Sequence, residues 1–235
     1  MRRADDPTVS VVVPARNEAD YIGDCLDSII AVDTDHTYEI LVVDGDSRDG
    51  TATIARDHGV QVVPGRGTGI GAGRHRGARV ASGDWLAFVD ADTTVDPDWL
   101  DELLGFAREH DLVAASSRCR MPGVRASFVR GTINRVFPHL SRPVLPGFNF
   151  FVDTETYAEA GGFPNVPNED TAFSRRLSAH GDVAYHPDAL VETSPRRVAE
   201  SGLTGTLYHY VKLDVGRLRS WYGSGENEDV SATRS

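Results

Sequence analysis

The feature that most constrains this chain is a repeated exchange between two kinds of apolar run. Thr8-Val9-Ser10-Val11-Val12-Val13 is nearly unbroken and β-branched, the pattern of a parallel strand buried on both faces. It gives way to Tyr21, Ile22, Cys25, Leu26 and Ile29, spaced three and four apart as on one face of a helix reaching Ile30, with Asn17 placed to cap it. Residues 38–43 repeat the strand pattern and end in Asp44. Asp44-Gly45-Asp46-Ser47-Arg48-Asp49-Gly50-Thr51 is turn chemistry before a short helix through Arg56, and residues 60–63 make a third strand. This βαβαβ rhythm closes as a parallel sheet with helices on its faces. A glycine-rich stretch, 65–77, then leads through a short arginine-rich helix to a strand at 85–90 and a helix at 98–110. The expected fold is therefore α/β, with a Rossmann-like, mostly parallel sheet flanked by helices in a single domain.

The second half is less regular. A strand is expected at 112–116, an amphipathic helix or lid at 124–137, a strand at 148–152 and a short helix at 154–160. Gly161-Gly162-Phe163-Pro164 reads as a tight turn, 170–179 as helix, and 183–186 and 190–193 as extended. Residues 203–222 form an aromatic-rich amphipathic pattern, and 223–235 is polar enough to be a disordered tail. The expected division is a domain over 1–222, with halves at 8–118 and 119–222. A length of 235 residues suits one full core.

Charge narrows the function further. The formal net charge of -11 and pI near 5.1 argue against nucleic-acid binding, which needs a basic face to displace phosphate counterions. Lys212 is the only lysine. A GC-rich genome and a salt-adapted cytosol both account for an acidic, lysine-poor chain. Cys25 and Cys119 are too few and too far apart for a disulfide framework or a zinc site and read as core thiols. Residues 1–7 carry no apolar leader and no eighteen apolar residues run together, so a cytoplasmic protein is expected.

Asp90-Ala91-Asp92 ends the apolar strand Trp85-Leu86-Ala87-Phe88-Val89. Two carboxylates at the carboxyl end of a buried strand face the crevice where open α/β sheets bind ligands, and offer hard oxygens to a divalent cation and its phosphates. The plainer reading is a turn with helix caps. Pro14-Ala15-Arg16-Asn17-Glu18 follows the first strand at the same rim and Asp44 ends the second there. Gly69-Ile70-Gly71-Ala72-Gly73-Arg74 could offer backbone N–H groups and a guanidinium to a pyrophosphate, or be a surface loop. Glu169-Asp170 opens a helix, where the pair either stabilises the N-terminus or supplies a general base. His75, His110, His139 and His180 lack ligand spacing, and His186 and His209 could reach a metal only through tertiary folding.

These segments, taken in order, resemble family 2 glycosyltransferases of the GT-A fold. Residues 9–18 are similar to that family's opening and 42–51 to its second motif; 71–78, 88–93, and Gly161-Gly162-Phe163 with Glu169-Asp170 follow in the family's order. The resemblance covers about residues 8–180 and implies that 8–118 is the nucleotide-sugar-binding half and 119–222 the acceptor-binding half. It implies an inverting, non-processive transferase (hexosyltransferase class) acting on a nucleotide-diphosphate sugar with Mg²⁺ or Mn²⁺, toward a hydroxyl on a glycan or polyprenyl-linked acceptor. It implies donor contacts from Pro14, Arg16, Asn17, Glu18, Asp44, Arg74 and Asp90, metal ligation by Asp92 with Asp90, and catalysis by Asp170 beside Glu169. Many relatives carry two adjacent acids where this chain has Asp44-Gly45. The Gln-x-x-Arg-Trp signature of processive synthases is absent, Arg217-Leu218-Arg219-Ser220-Trp221 being a faint echo, and polymer extrusion is not expected. The rivals are a noncatalytic nucleotide-sugar-binding or assembly subunit and a sugar nucleotidyltransferase; the latter would carry a lysine-containing glycine loop after strand one. Leu203, Leu207, Tyr210, Trp221 and Tyr222 near Arg217 and Arg219 could make a peripheral membrane contact or pack on the sheet.

Overall fold

A computed structural model describes residues 7–65, 69–123, 126–140 and 142–196. The strands are β1 (Val9–Ala15), β2 (Tyr38–Asp44), β3 (Gln61–Pro64), β4 (Trp85–Val89), β5 (Thr93–Val95), β6 (Leu112–Arg120), β7 (Asn149–Asp153) and β8 (Asp182–Thr193). The helices are α1 (Ile22–Ile30), α2 (Thr51–Asp57), α3 (Ile70–Ala78), α4 (Trp99–Glu109), α5 (Ala126–Arg135), α6 (Thr154–Glu159) and α7 (Glu169–Leu177). The strands form one sheet in the order β3-β2-β1-β4-β7-β6-β8-β5. β3, β2, β1 and β4 are parallel, as the βαβ rhythm requires. Beyond them β7 runs antiparallel between β4 and β6, so the sheet is mixed.

β1 sits at the centre of the parallel half and is buried on both faces. Val9, Val11, Val13 and Ala15 enter the core under α1 and α4, while Val12 enters the core on the opposite side with Leu41, Phe88, Phe150, Tyr157 and Phe173. Burying each such aliphatic side chain contributes roughly 1.5–3 kcal/mol. Its polar member, Ser10, is satisfied by Glu39 at 2.6 Å and by the Gly83 N–H at 2.8 Å. α3 lies so close to β1 and β2 that a Cβ on Gly77 would overlap Val12 and come within 3.0 Å of Val43. That approach brings Arg74 to the strand ends.

The structure departs from the sequence reading at several points. Asn17 does not cap α1: it adopts a left-handed φ of 55°, accepts a bond from the Arg48 N–H at 2.9 Å and donates its own N–H to Ser47. The helix starts only at Ile22, and Asn17 instead ties the loop after β1 to the loop after β2. The glycine-rich stretch is no loop from Gly69 onward, since α3 takes in Gly71, Gly73 and Gly77. β5 was not anticipated, and the two extended segments near the end are one strand, β8, paired with a β6 whose register shifts near Arg118. The expected helix at 203–222 and tail at 223–235 lie outside the described residues.

Both cysteines are buried and free. The Cys25 Sγ–H points at the Asp90 carbonyl at 3.6 Å, and burial together with the Asp90 and Asp92 charges pushes the thiol well above its ordinary range. Neither thiol is a nucleophile at neutral pH.

Candidate functional site

The carboxyl ends of β1 and β4 lie side by side, and a cavity of about 270 Å³ opens above them. Pro14, Arg16, Glu18, Asp90 and Asp92 line it, with Arg196 closing one side. The five residues predicted from two separate segments thus share one cleft. Asn17 and Asp44 stand beside it rather than in its lining: Asp44 closes β2 next to Ala15 and accepts a bond from the Ser47 N–H at 3.3 Å. Gly65 lets the chain pass Asp44, since a Cβ there would sit 2.8 Å from the Asp44 carbonyl oxygen.

Asp90 also belongs to a buried ion triad with Arg74 and Glu169, which, like Asp170, are not in the cleft's lining. Arg74 is 1% exposed; its Nη2 donates to Asp90 Oδ1 at 2.6 Å and its Nη1 to Glu169 Oε1. Burial alone would lower the guanidinium's pKa, but Asp90, Glu169 and Asp170 overcome this and raise it. Burial dominates at Glu169, whose carboxyl is pushed above the usual range despite the partial opposition of Arg74. Gly147 makes room, because a Cβ there would overlap the guanidinium. Arg74, expected to touch the donor, has its two Nη groups committed to these carboxylates. Glu169 is likewise held inside the triad.

Asp170 is placed differently. It is half-buried at the start of α7, where its Oδ2 accepts from the Gly147 N–H at 3.3 Å and its Oδ1 from the Thr171 N–H at 2.6 Å. Its charge reaches Arg74 of the triad, whose pKa it helps to raise. The helix begins here because Asn168 takes a left-handed turn, φ 54°, that aims the first residues of α7 inward.

Arg196, three residues past β8, was not anticipated. Its Nη1 and Nη2 donate to the two Glu18 oxygens at 2.8 Å each, its Nη2 lies 3.4 Å from Asp92 Oδ2, and its guanidinium rests 4.8 Å over the Tyr21 ring. These bonds to Glu18, only partly opposed by burial, raise its pKa, with Asp92 adding to them. The Ser194 N–H donates to the Asp92 carbonyl at 3.1 Å and so fixes the end of β8 against the same motif.

The donor set suits a hard divalent cation. Asp92 brings carboxylate oxygens into the cleft with Asp90 behind them, and among the described residues no three or more His, Cys, Asp or Glu form a metal cluster. A cation held here would draw its remaining ligands from phosphate oxygens and water, as Mg²⁺ commonly does. His186 is nearly buried against α4, beside Phe106 and 3.2 Å from Glu102, and His75 stacks on Tyr157. His209 lies outside the described residues.

Comparison with known proteins shows the family and the fold. The family model for Glycosyl transferase family 2 matches residues 10–159. Glycosyltransferase AglE of Haloferax volcanii is 29% identical over 204 residues, which are 77% of this chain and 67% of AglE. The low-salt glycan biosynthesis hexosyltransferase Agl6 of the same species is 32% identical over 144 residues, 60% of this chain and 34% of Agl6. The chain thus spans about two thirds of one relative and one third of the other. Among solved structures, S. aureus TarS 1-349 in complex with UDP superposes with a TM-score of 0.68 at 23% identity, over 82% of this chain and 62% of that one. The mannosyltransferase PcManGT from Pyrobaculum calidifontis, in complex with GDP-Man and Mn²⁺, gives 0.68 at 22% identity, over 89% and 65%. At these identities the likeness shows the fold, and it is the GT-A fold.

Proposed function

The chain belongs to glycosyl transferase family 2, and from that premise we propose that it moves a sugar from a nucleoside-diphosphate donor to an acceptor hydroxyl, inverting the anomeric carbon, with Mg²⁺ or Mn²⁺. The observation that carries this reading is the convergence of Pro14, Arg16, Glu18, Asp90 and Asp92 on one cleft, with Asp170 next in sequence to Glu169, whose partner Arg74 also holds Asp90. The UDP-bound and GDP-Man-bound neighbours support the donor class.

In this reading the donor's diphosphate lies over the ends of β1 and β4. Arg16 offers a guanidinium from the rim, and Asp44 with Asn17 holds the loops that receive the nucleoside. Asp92, with Asp90 behind it, would hold the cation, which would supply positive charge against the charge that grows on the diphosphate as it leaves. Arg74 acts through Asp90 rather than on the donor, because its guanidinium is spent in the triad. Asp170 accepts the proton of the acceptor hydroxyl. As the new C–O bond forms on the face opposite the diphosphate, the bond from the anomeric carbon to the diphosphate oxygen breaks and its electron pair leaves with that oxygen. One base and one displacement suffice, and configuration inverts.

The acceptor in this reading is a glycan or a polyprenyl-linked molecule; residues 203–222, which would either make a peripheral membrane contact or pack on the sheet, lie outside the described residues. Among the described residues no helix is long and apolar enough to cross a membrane. The test is donor binding, read by thermal stabilisation with UDP- and GDP-sugars, each with Mn²⁺ and with chelator. The wild type should need the cation, and Asp92→Asn should remove that dependence while keeping the fold. Equal donor affinity with and without chelator overturns the reading. Product anomers read by NMR test the inversion.

A further inference from the structure

A guanidinium bound at once to Glu18 and Asp92 sits beside the carboxylate proposed to hold the cation. Its Asp92 contact, 3.4 Å, is the loose one, while both Glu18 bonds are 2.8 Å and bidentate. Asp92 is nearly closed to solvent, its side chain 7% exposed, against 24% for Arg196. A nearly buried carboxylate needs a counter-charge at all times.

We propose that Arg196 is the donor-free counter-ion of Asp92, occupying by charge the place of the divalent cation, so that metal alone binds weakly and metal with nucleotide binds as one unit. The inference rests on the donor-site reading given above. Three observations support it. The anchoring on Glu18 and the stacking over Tyr21 let Arg196 release Asp92 by a small shift without losing its main partners. The end of β8 is bonded to the Asp92 backbone, which keeps Arg196 in place whichever partner holds the carboxylate. No third carboxylate, imidazole or thiol joins the cluster among the described residues, so a bare cation has to displace a guanidinium for few protein ligands in return. A nucleoside diphosphate changes that balance by adding its own oxygens to the cation, as Mg²⁺ sites with phosphates do. Arg196 is therefore a positioning residue that sets the order of events, and its effect falls on the metal step.

Mn²⁺ binding followed by electron paramagnetic resonance of the free ion tests this without turnover. Wild type, Arg196→Gln, Arg196→Met and Arg196→Lys are titrated alone and with UDP or GDP. The Met variant keeps the stem on Tyr21, so two neutral variants guard against loss of fold, checked by thermal melting. Removing one positive charge beside a nearly buried carboxylate should tighten bare Mn²⁺ binding by about tenfold or more. The lysine variant should stay near wild type, and adding Asp92→Asn to Arg196→Gln should erase the gain. The nucleotide's enhancement of Mn²⁺ binding should shrink in both neutral variants. Unchanged or weaker bare Mn²⁺ binding in the neutral variants overturns the inference, as does a lysine variant that gains as much. If the wild type binds no Mn²⁺ even with UDP or GDP, the donor-site reading itself falls and this inference with it.

Discussion

Replacing Arg74 by methionine is the sharpest test of how the cleft is built. The guanidinium is 1% exposed and pairs with side chains that are themselves 7% (Asp90) and 10% (Glu169) exposed. Methionine fills similar volume, so the cost is electrostatic: two buried carboxylates lose the guanidinium that pairs with both. Unit charges about 4 Å apart attract by roughly 4 kcal/mol at an effective dielectric of 20, and breaking a buried pair costs about 3–5 kcal/mol. For a domain stable by about 5–15 kcal/mol that is a large share, and at this size it lowers the melting temperature by roughly 10 °C. The pH dependence carries the sign of the cause. Without Arg74 both carboxyls are held above their unfolded values near 4, so the folded state binds more protons and the variant loses stability as pH rises. Glu169 is already raised in the wild type, where burial outweighs Arg74, so the variant's slope adds to an existing one. Urea unfolding at about pH 5 and about pH 8 should show a smaller gap between wild type and variant at the lower value. A loss under about 1 kcal/mol, or an equal loss at both pH values, refutes the account of the triad as a buried ion network.

Asp170→Asn should leave nucleotide binding intact and lower turnover by about a hundredfold or more, measured by isothermal titration beside steady-state rates. Unchanged turnover would assign Asp170 to holding Gly147 and the start of α7. Gly77→Ala should lower stability by roughly 1–3 kcal/mol through overlap with Val12, although alanine is the better helix former by about 1 kcal/mol; a raised melting temperature would refute the tight α3 packing. If residues 203–222 touch lipid, the protein should float with anionic liposomes at low salt and be released at high salt; staying soluble at both ends the membrane reading.

What was legible in the sequence was local. The β-branched runs of β1 and β2, the turn chemistry after Asp44 and the Asp90-Ala91-Asp92 strand end each sit within a few residues, so periodicity and composition reveal them. Three-residue β5 is too short to show a period. Asn17 was misread because asparagine serves equally as helix cap and as left-handed loop residue, and only the distant Arg48 and Ser47 decide between them. The glycines of α3 lower helix propensity by about 1 kcal/mol each, yet the close approach of Gly77 to β1 and of Gly71 to Pro164 overrides that preference. The site's electrostatics are the least local of all. Arg74 meets a carboxylate 95 residues away and Arg196 one 178 away, and only the Pro195-Arg196-Arg197 run after a strand hinted at the second.

The same long-range pairing supports the cation of the proposed function. Asp90, Asp92, Glu18, Glu169 and Asp170 gather around Arg74, Arg196 and Arg16, which leaves an excess of two negative charges when all are ionised. A diphosphate entering alone would bring like charge into a partly buried site, at a Coulombic cost of several kcal/mol at protein-like dielectric. In the proposed function a divalent cation arriving together with the diphosphate would offset both that repulsion and the protein's own excess. The arginines divide the carboxylates between them: Arg74 holds Asp90 and Glu169 in a buried triad, and Arg196 meets Asp92 in a longer contact, where the proposed exchange of counter-charge would take place.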